Sequence, residues 1–277
     1  MKLISIHSGT FKLDGGAMFG VVPKKIWNKL VPADENNLCT WSMRCLLVDA
    51  GNRKILIDCG MGTKQQEKFF SHYEPSGHIL HESLRMNGYL AEDITDVFLT
   101  HLHFDHCGGA VIKNEKETYQ PAFPNARYWS NKKQWDWAVN PNAREKASFL
   151  KENFIPLQEN QVLKFAEEGE ELMQGFTCIE VHGHTQSMML PVIKYEDKTI
   201  VYMADLLPSA AHIPIPYVMG YDTRPLLTLS EKEHFLNTAL QNNYTLFFEH
   251  DAAHECCTLE MTDKGIRPKD FFKLEDF

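Results

Sequence analysis

Apolar positions along this chain fall into short runs punctuated by Gly, Pro, Asn and Asp. Residues 45–48 and 54–58 are two such runs around Asp49-Ala50-Gly51-Asn52-Arg53, a pattern that predicts a β-hairpin with a Gly-containing turn. Cys59-Gly60-Met61-Gly62 then breaks the strand. Helical spacing covers residues 64–71 and again 78–87, where Gly88 suits a C-cap. Residues 97–100 are a buried-type strand that runs straight into His101. A Pro-marked middle section follows, with a strand at 127–130 and a helix at 132–139.

The second half repeats this logic. Residues 176–181, 188–195 and 199–203 read as strands. Ser230-Glu231-Lys232-Glu233 reads as a capping box that opens a helix to about Gln241. Residues 244–248 form another buried-type strand, ending at Glu249-His250-Asp251. Two groups of strands, each followed by helices, predict one α/β domain of two similar layers spanning residues 1–277.

Composition narrows the function. A chain of 277 residues that is 43% hydrophobic can bury a sizeable core, so it needs neither a metal nor a disulfide merely to fold. Any metal-ligand cluster therefore calls for a chemical explanation. The formal charge of −9 and the absence of a Lys/Arg run argue against a nucleic-acid partner. The N-terminal apolar stretch is too short and interrupted for a signal peptide, and no run has the length of a membrane span. Seven cysteines, an odd number without zinc-ribbon spacing, suggest reduced thiols in a cytoplasmic protein with no membrane partner.

The strongest local signal is His101-Leu102-His103-Phe104-Asp105-His106. Strand ends are where α/β folds place reactive groups. His101 and His103, two apart, point the same way in an extended segment, while Asp105 and His106 fall where the chain must turn. Imidazole and carboxylate suit zinc and its divalent neighbours. Gly108 and Gly109 allow the backbone to approach closely. A lone loop histidine is ordinarily a surface residue, and His7, His72, His78, His81, His234 and His254 read that way or as core histidines. Three histidines and an aspartate between an apolar strand and a Gly pair do not.

Thr100-His101-Leu102-His103-Phe104-Asp105-His106-Cys107-Gly108-Gly109 resembles the HxHxDH signature of the metallo-β-lactamase superfamily. Further stretches are similar to that family's later motifs, in order: Val181-His182-Gly183-His184-Thr185, Tyr202-Met203-Ala204-Asp205 and Phe247-Phe248-Glu249-His250-Asp251. Leu56-Ile57-Asp58-Cys59-Gly60 resembles its early strand ending in Asp. The resemblance implies an αββα sandwich, two mixed β-sheets flanked by helices. It implies two divalent ions per chain, zinc first, with manganese, iron or cobalt also fitting such donors. His101, His103 and His184 would hold one ion, Asp105, His106 and His250 the other, and Asp205 would bridge them. His182 is the alternative to His184. Asp58 would orient a ligand histidine rather than ligate, and Cys107 would pack. His103, where the di-iron oxygen-reducing branch has a carboxylate, resembles the zinc-type hydrolases.

Two ions ~3.5–4 Å apart can share a hydroxide that is a nucleophile at neutral pH. The resemblance thus implies a binuclear hydrolase, with Asp105 passing a proton to the leaving group. Within the superfamily the chain most resembles acyl-homoserine lactonases and methyl-parathion-type hydrolases. The supporting stretches run from Asp14 to Pro23, from Ala204 to Pro208 and from Met219 to Asp222. Several lactonases carry a Tyr three residues after the bridging Asp; here that position is Pro208. Its role is either absent or moved to His212, Tyr217 or Tyr221, with His212 the preferred catalytic candidate. Met18, Phe19, Trp27, Phe104, Met219 and Tyr221 are candidate lining for a small-molecule pocket. Thioester hydrolysis of the glyoxalase-II kind and phosphotriester hydrolysis are the alternatives on the same ligands. Residues 15–30, within the first 40 residues of this single domain, are a candidate lid or contact of a homodimer.

Overall fold

The protein is described by a computed structural model covering residues 1–77 and 80–276. Its contacts divide it into two compact units, each assembled from two stretches of chain: Met1–Thr10 with Met43–Glu167, and Phe11–Ser42 with Glu168–Phe277.

The first unit is built on a mixed sheet. Its strand order is Lys2–Asp14, Leu38–Asp49, Lys54–Ile57, Asp96–Phe98, Arg127–Ser130 and Leu163–Phe165, the first two strands running on into residues of the other unit. The expected hairpin is present: Leu46 pairs with Ile57 and Asp49 with Lys54. Its turn places Gly51 at φ 81°, and the Asp49 carboxylate accepts the Gly51 N–H. The next pairings are parallel, Lys54–Ile57 to Asp96–Phe98 to Arg127–Ser130 to Leu163–Phe165. Leu47, Leu56, Val97, Tyr128, Phe123 and Phe154 belong to one buried cluster beneath these strands. The helix at Lys132–Val139 is capped by Asn131, whose side chain accepts the Lys133 N–H. The helix expected at 64–71 is shorter than its sequence pattern suggests. Only Glu67–Phe70 is α-helical within 64–71, and the next helix spans Leu80–Met86. His78, its expected first residue, lies outside the described residues.

The second unit carries a six-stranded mixed sheet in the order Gly265–Phe272, Cys256–Thr262, Thr245–Phe247, Lys198–Tyr202, Met188–Tyr195 and Phe176–Val181. Lys198–Tyr202 and Thr245–Phe247 are parallel; the helix Pro225–Gln241 crosses between them. That helix opens at Pro225, which takes the first-turn position where a missing N–H costs nothing. The capping box expected at Ser230 therefore lies inside the helix. Among the described residues no helix is long and apolar enough to cross a membrane. All seven cysteines are buried.

Candidate metal centre

In the first unit the strand Asp96–Phe98 leads through Leu99 and Thr100 to His101, and the His- and Asp-bearing turn closes as the helix Phe104–Cys107. This turn is laced to the segment after Ile57. Cys59 N–H donates to the His106 carbonyl at 2.7 Å, and Gly109 N–H to the Gly60 carbonyl at 2.9 Å. His101, His103, Asp105 and His106 are all buried.

Asp58 fixes two of these rings. Its Oδ2 lies 3.0 Å from His106 Nδ1 and accepts the Thr100 hydroxyl at 2.7 Å, while Oδ1 accepts the Thr100 N–H at 2.8 Å. The Thr100 hydroxyl proton is thus committed to Asp58. Its oxygen, 3.1 Å from His101 Nδ1, is left to accept that N–H. Both rings then present Nε2 as a lone pair. On His103, Nε2 lies 3.5 Å from Glu145 Oε1, and Nδ1 lies 3.1 Å from His101 Nε2. Carboxylate- and hydroxyl-anchored imidazoles of this kind are what ligand histidines require. Cys107 is not part of this set: its thiol donates to the Leu102 carbonyl at 3.3 Å, and burial pushes its pKa up to about 12.

The second unit brings His184, Asp205 and His250 together. Asp205 follows the end of Lys198–Tyr202, and His250 follows Thr245–Phe247, so both leave the carboxyl ends of parallel strands. Asp205 Oδ2 is 3.0 Å from His184 Nε2, and Oδ1 is 3.1 Å from His250 Nε2. The opposite nitrogens are tied down: His184 Nδ1 to Asp222 Oδ1 at 2.9 Å, His250 Nδ1 to the Ser42 carbonyl at 2.7 Å. Burial opposes a charge on His184, but the carboxylates of Asp205 and Asp222 outweigh it and raise its pKa to about 10. A divalent cation would take the place of that proton. Ala204, immediately before Asp205, sits at φ 41°, a left-handed conformation that costs an alanine ~1–2 kcal/mol. Such local strain clusters at functional sites.

The remaining expectations divide. His182, the alternative to His184, is partly exposed and contacts Gln186 and Glu180. His212 departs from the role given to it. It is 1% exposed, its Nδ1 meets the Ser209 hydroxyl at 2.8 Å, and its Nε2 donates to the Met18 carbonyl at 2.9 Å. Its ring stacks on Phe19 at 4.7 Å, and burial drives its pKa down to about 3. With both nitrogens engaged by protein, this neutral ring has none to offer a substrate. Phe19 is equally enclosed, stacked also on Trp27 at 5.3 Å. Met219 is buried and Tyr221 is 40% exposed. Phe104 keeps the company of Phe69 and Tyr73, with ring centroids at 5.1 and 4.6 Å. A cavity of ≈ 410 Å³ in the second unit is lined by Val31, Trp41, Ala210, Asp251 and Phe271, among others, and by none of the expected pocket residues.

Sequence reasoning missed Asp222, Glu145 and the Ser42 carbonyl as partners of the candidate ligand rings. Asp222→Asn retains the volume but removes the charge behind His184. It is expected to weaken binding of one ion by ~10–100-fold, as loss of such outer partners does. Competition with a chromophoric chelator checks this; wild-type affinity would remove Asp222 from the site.

Comparison with known proteins identifies the family. The pattern of the Metallo-beta-lactamase superfamily matches residues 44–250. An N-acyl homoserine lactonase of Bacillus cereus is 25% identical over 268 residues, covering 92% of this chain and 94% of that protein. The crystal structure of a probable metal-dependent hydrolase from Staphylococcus aureus superposes with a TM-score of 0.90 at 27% identity, over 98% of this chain and 96% of that one. AidC, a dizinc quorum-quenching lactonase crystallised with its product N-hexanoyl-L-homoserine, shares the fold at a TM-score of 0.81 and 22% identity, over 98% and 95% of the chains.

Proposed function

Because the chain belongs to the metallo-β-lactamase superfamily and is a metal-dependent hydrolase, we propose that it opens the lactone ring of acyl-homoserine lactones at a binuclear centre. Full-length similarity to N-acyl homoserine lactonases carries the substrate reading. In this proposal His101, His103 and His184 would hold one ion, Asp105, His106 and His250 the other, with Asp205 in common. Two zinc ions are the expected complement. The donor set supports it, being imidazoles whose far nitrogens face protein oxygens, together with buried carboxylates. When bound, such ions lower the pKa of water toward ~7 and polarise a carbonyl.

The chain's own groups supply the rest. Asp105 takes the proton that the attacking water gives up and returns it to the ring oxygen as the acyl C–O bond breaks. Its Oδ2 lies 3.7 Å from His106 Nε2, which keeps the carboxylate turned to the ligand side of the turn. Phe104, between two ligand residues and 6% exposed, gives the acyl group an apolar flank. His212 takes no part.

The test is a pH-stat assay of zinc-loaded protein with a long-chain acyl-homoserine lactone. One proton released per ring opened is expected, and none once a chelator has stripped the ions. No release from protein carrying two ions per chain would sink the lactonase reading and bring phosphotriesters and thioesters forward.

A further inference from the structure

The helix Pro225–Gln241 does more than connect two parallel strands. Glu231 Oε1 accepts the His182 N–H at 2.8 Å, and Oε2 accepts the Gly183 N–H at 2.9 Å. Arg224, at the helix entrance, donates Nη1 to the His182 carbonyl at 2.7 Å, its own N–H to the Gly183 carbonyl at 2.9 Å, and Nη2 to Gln186 Oε1 at 2.9 Å. Thr223 N–H reaches the His184 carbonyl at 3.1 Å, and Asp222 takes His184 Nδ1. The stretch 222–231 therefore grips the turn before His184 by N–H and C=O alike. Contact is close enough that a Cβ on Gly183 would lie 2.3 Å from Thr228 Oγ1 and 2.4 Å from Thr228 N.

We propose that Glu231 is a positioning residue of the metal centre: by holding the His182 and Gly183 N–H groups it sets the angle at which His184 Nε2 meets its ion. The inference rests on His184 being a metal ligand. A carboxylate suits the task because it accepts two N–H bonds at once, one on each oxygen. Glutamine accepts through one oxygen only and turns an NH2 toward the other N–H. The neighbouring Lys232 anchors the same helix, its Nζ donating to the carbonyls of Pro214, Ile215 and Tyr217 at 3.2, 3.3 and 2.7 Å. Glu231 thus projects from a fixed base, and a disturbance at 231 falls on the turn rather than on the helix.

The experiment loads full-length wild type, Glu231→Gln, Glu231→Asp and His184→Ala with cobalt(II). It reads stoichiometry, affinity by chelator competition, visible absorption of each ion and melting of the metal-free proteins. Glu231→Gln is expected to weaken one ion by ~10–100-fold and shift its visible band, leaving the second ion and the metal-free melting unchanged. Glu231→Asp, which keeps both acceptor oxygens on a shorter stem, is expected to recover part of that loss. His184→Ala is expected to lose the same ion outright. If His184→Ala loses an ion while both Glu231 variants keep wild-type affinity and spectrum, the positioning role is overturned and the ligand assignment stands. If His184→Ala holds two ions as wild type does, the ligand assignment falls and takes this inference with it.

Discussion

Asp205→Ala is expected to lower kcat/KM on any substrate of this protein by at least ~10³-fold, a loss of roughly 4 kcal/mol or more of transition-state stabilisation. The two Asp205 oxygens meet two different candidate ligand histidines, His184 and His250. A shared ligand sets the separation of two ions, and that separation decides whether they act on one water and one carbonyl. Losing the side chain removes negative charge from between two buried imidazoles, so ion content should fall together with rate. Steady-state kinetics alongside metal analysis and circular dichroism checks this. Asp205→Ala with native metal content and a rate within 10-fold of wild type would exclude the shared role. Asp205→Asn, similar in size but neutral, is expected to fall between the two.

Gly108→Ala is expected to destabilise the fold by ~3 kcal/mol, at the upper end of ordinary overpacking. An added Cβ would lie 2.1 Å from the Met61 carbonyl oxygen and 2.5 Å from its carbon, both backbone atoms that no rotamer change can move. Lys64 also donates to the Gly108 carbonyl, tying down the same segment. Relief therefore requires shifting the turn that carries Asp105 and His106, so ion affinity should drop with stability. Gly51→Ala is the control. Its φ of 81° penalises alanine, but nothing lies within 4 Å of the new atom, so a cost near ~1 kcal/mol is expected. Urea unfolding of the three proteins measures both. Equal midpoints for Gly108→Ala and Gly51→Ala would show that the crowding is not what constrains the turn.

What could be read from sequence was what local chemistry dictates. The hairpin around Gly51, the strand into His101 and the strands before Asp205 and His250 all follow from apolar runs with turn residues between them. The seven ligand candidates were legible because their types recur in a fixed order. Their partners were not. Ser42 meets His250 through a carbonyl that every residue possesses, some 200 positions away. Asp222 sits in a loop where an acidic residue is unremarked. Glu231 was hidden by a local rule, since a Ser followed three residues later by Glu resembles a helix start. Pro225 starts the helix earlier, which leaves Ser230 exposed and turns Glu231 toward the His182 turn. His212 misled because a buried histidine filling space beside Phe19 and Trp41 looks, in one dimension, like any loop histidine near an aspartate. The N-terminal strand Lys2–Asp14 has polar and apolar residues without clean alternation, and only sheet pairing reveals it.

The anchored far nitrogens of His106, His184 and His250 carry a consequence for metal exchange. With each Nδ1 bonded to a protein oxygen, a ring flip would sacrifice that bond, so each ring keeps its orientation whether or not a cation is present. The imidazoles need no rotation when one divalent ion replaces another. Turnover with zinc, cobalt or manganese would then rank by the acidity each ion confers on water, and nitrogen-15 shifts of these rings would keep the same protonated site throughout the series.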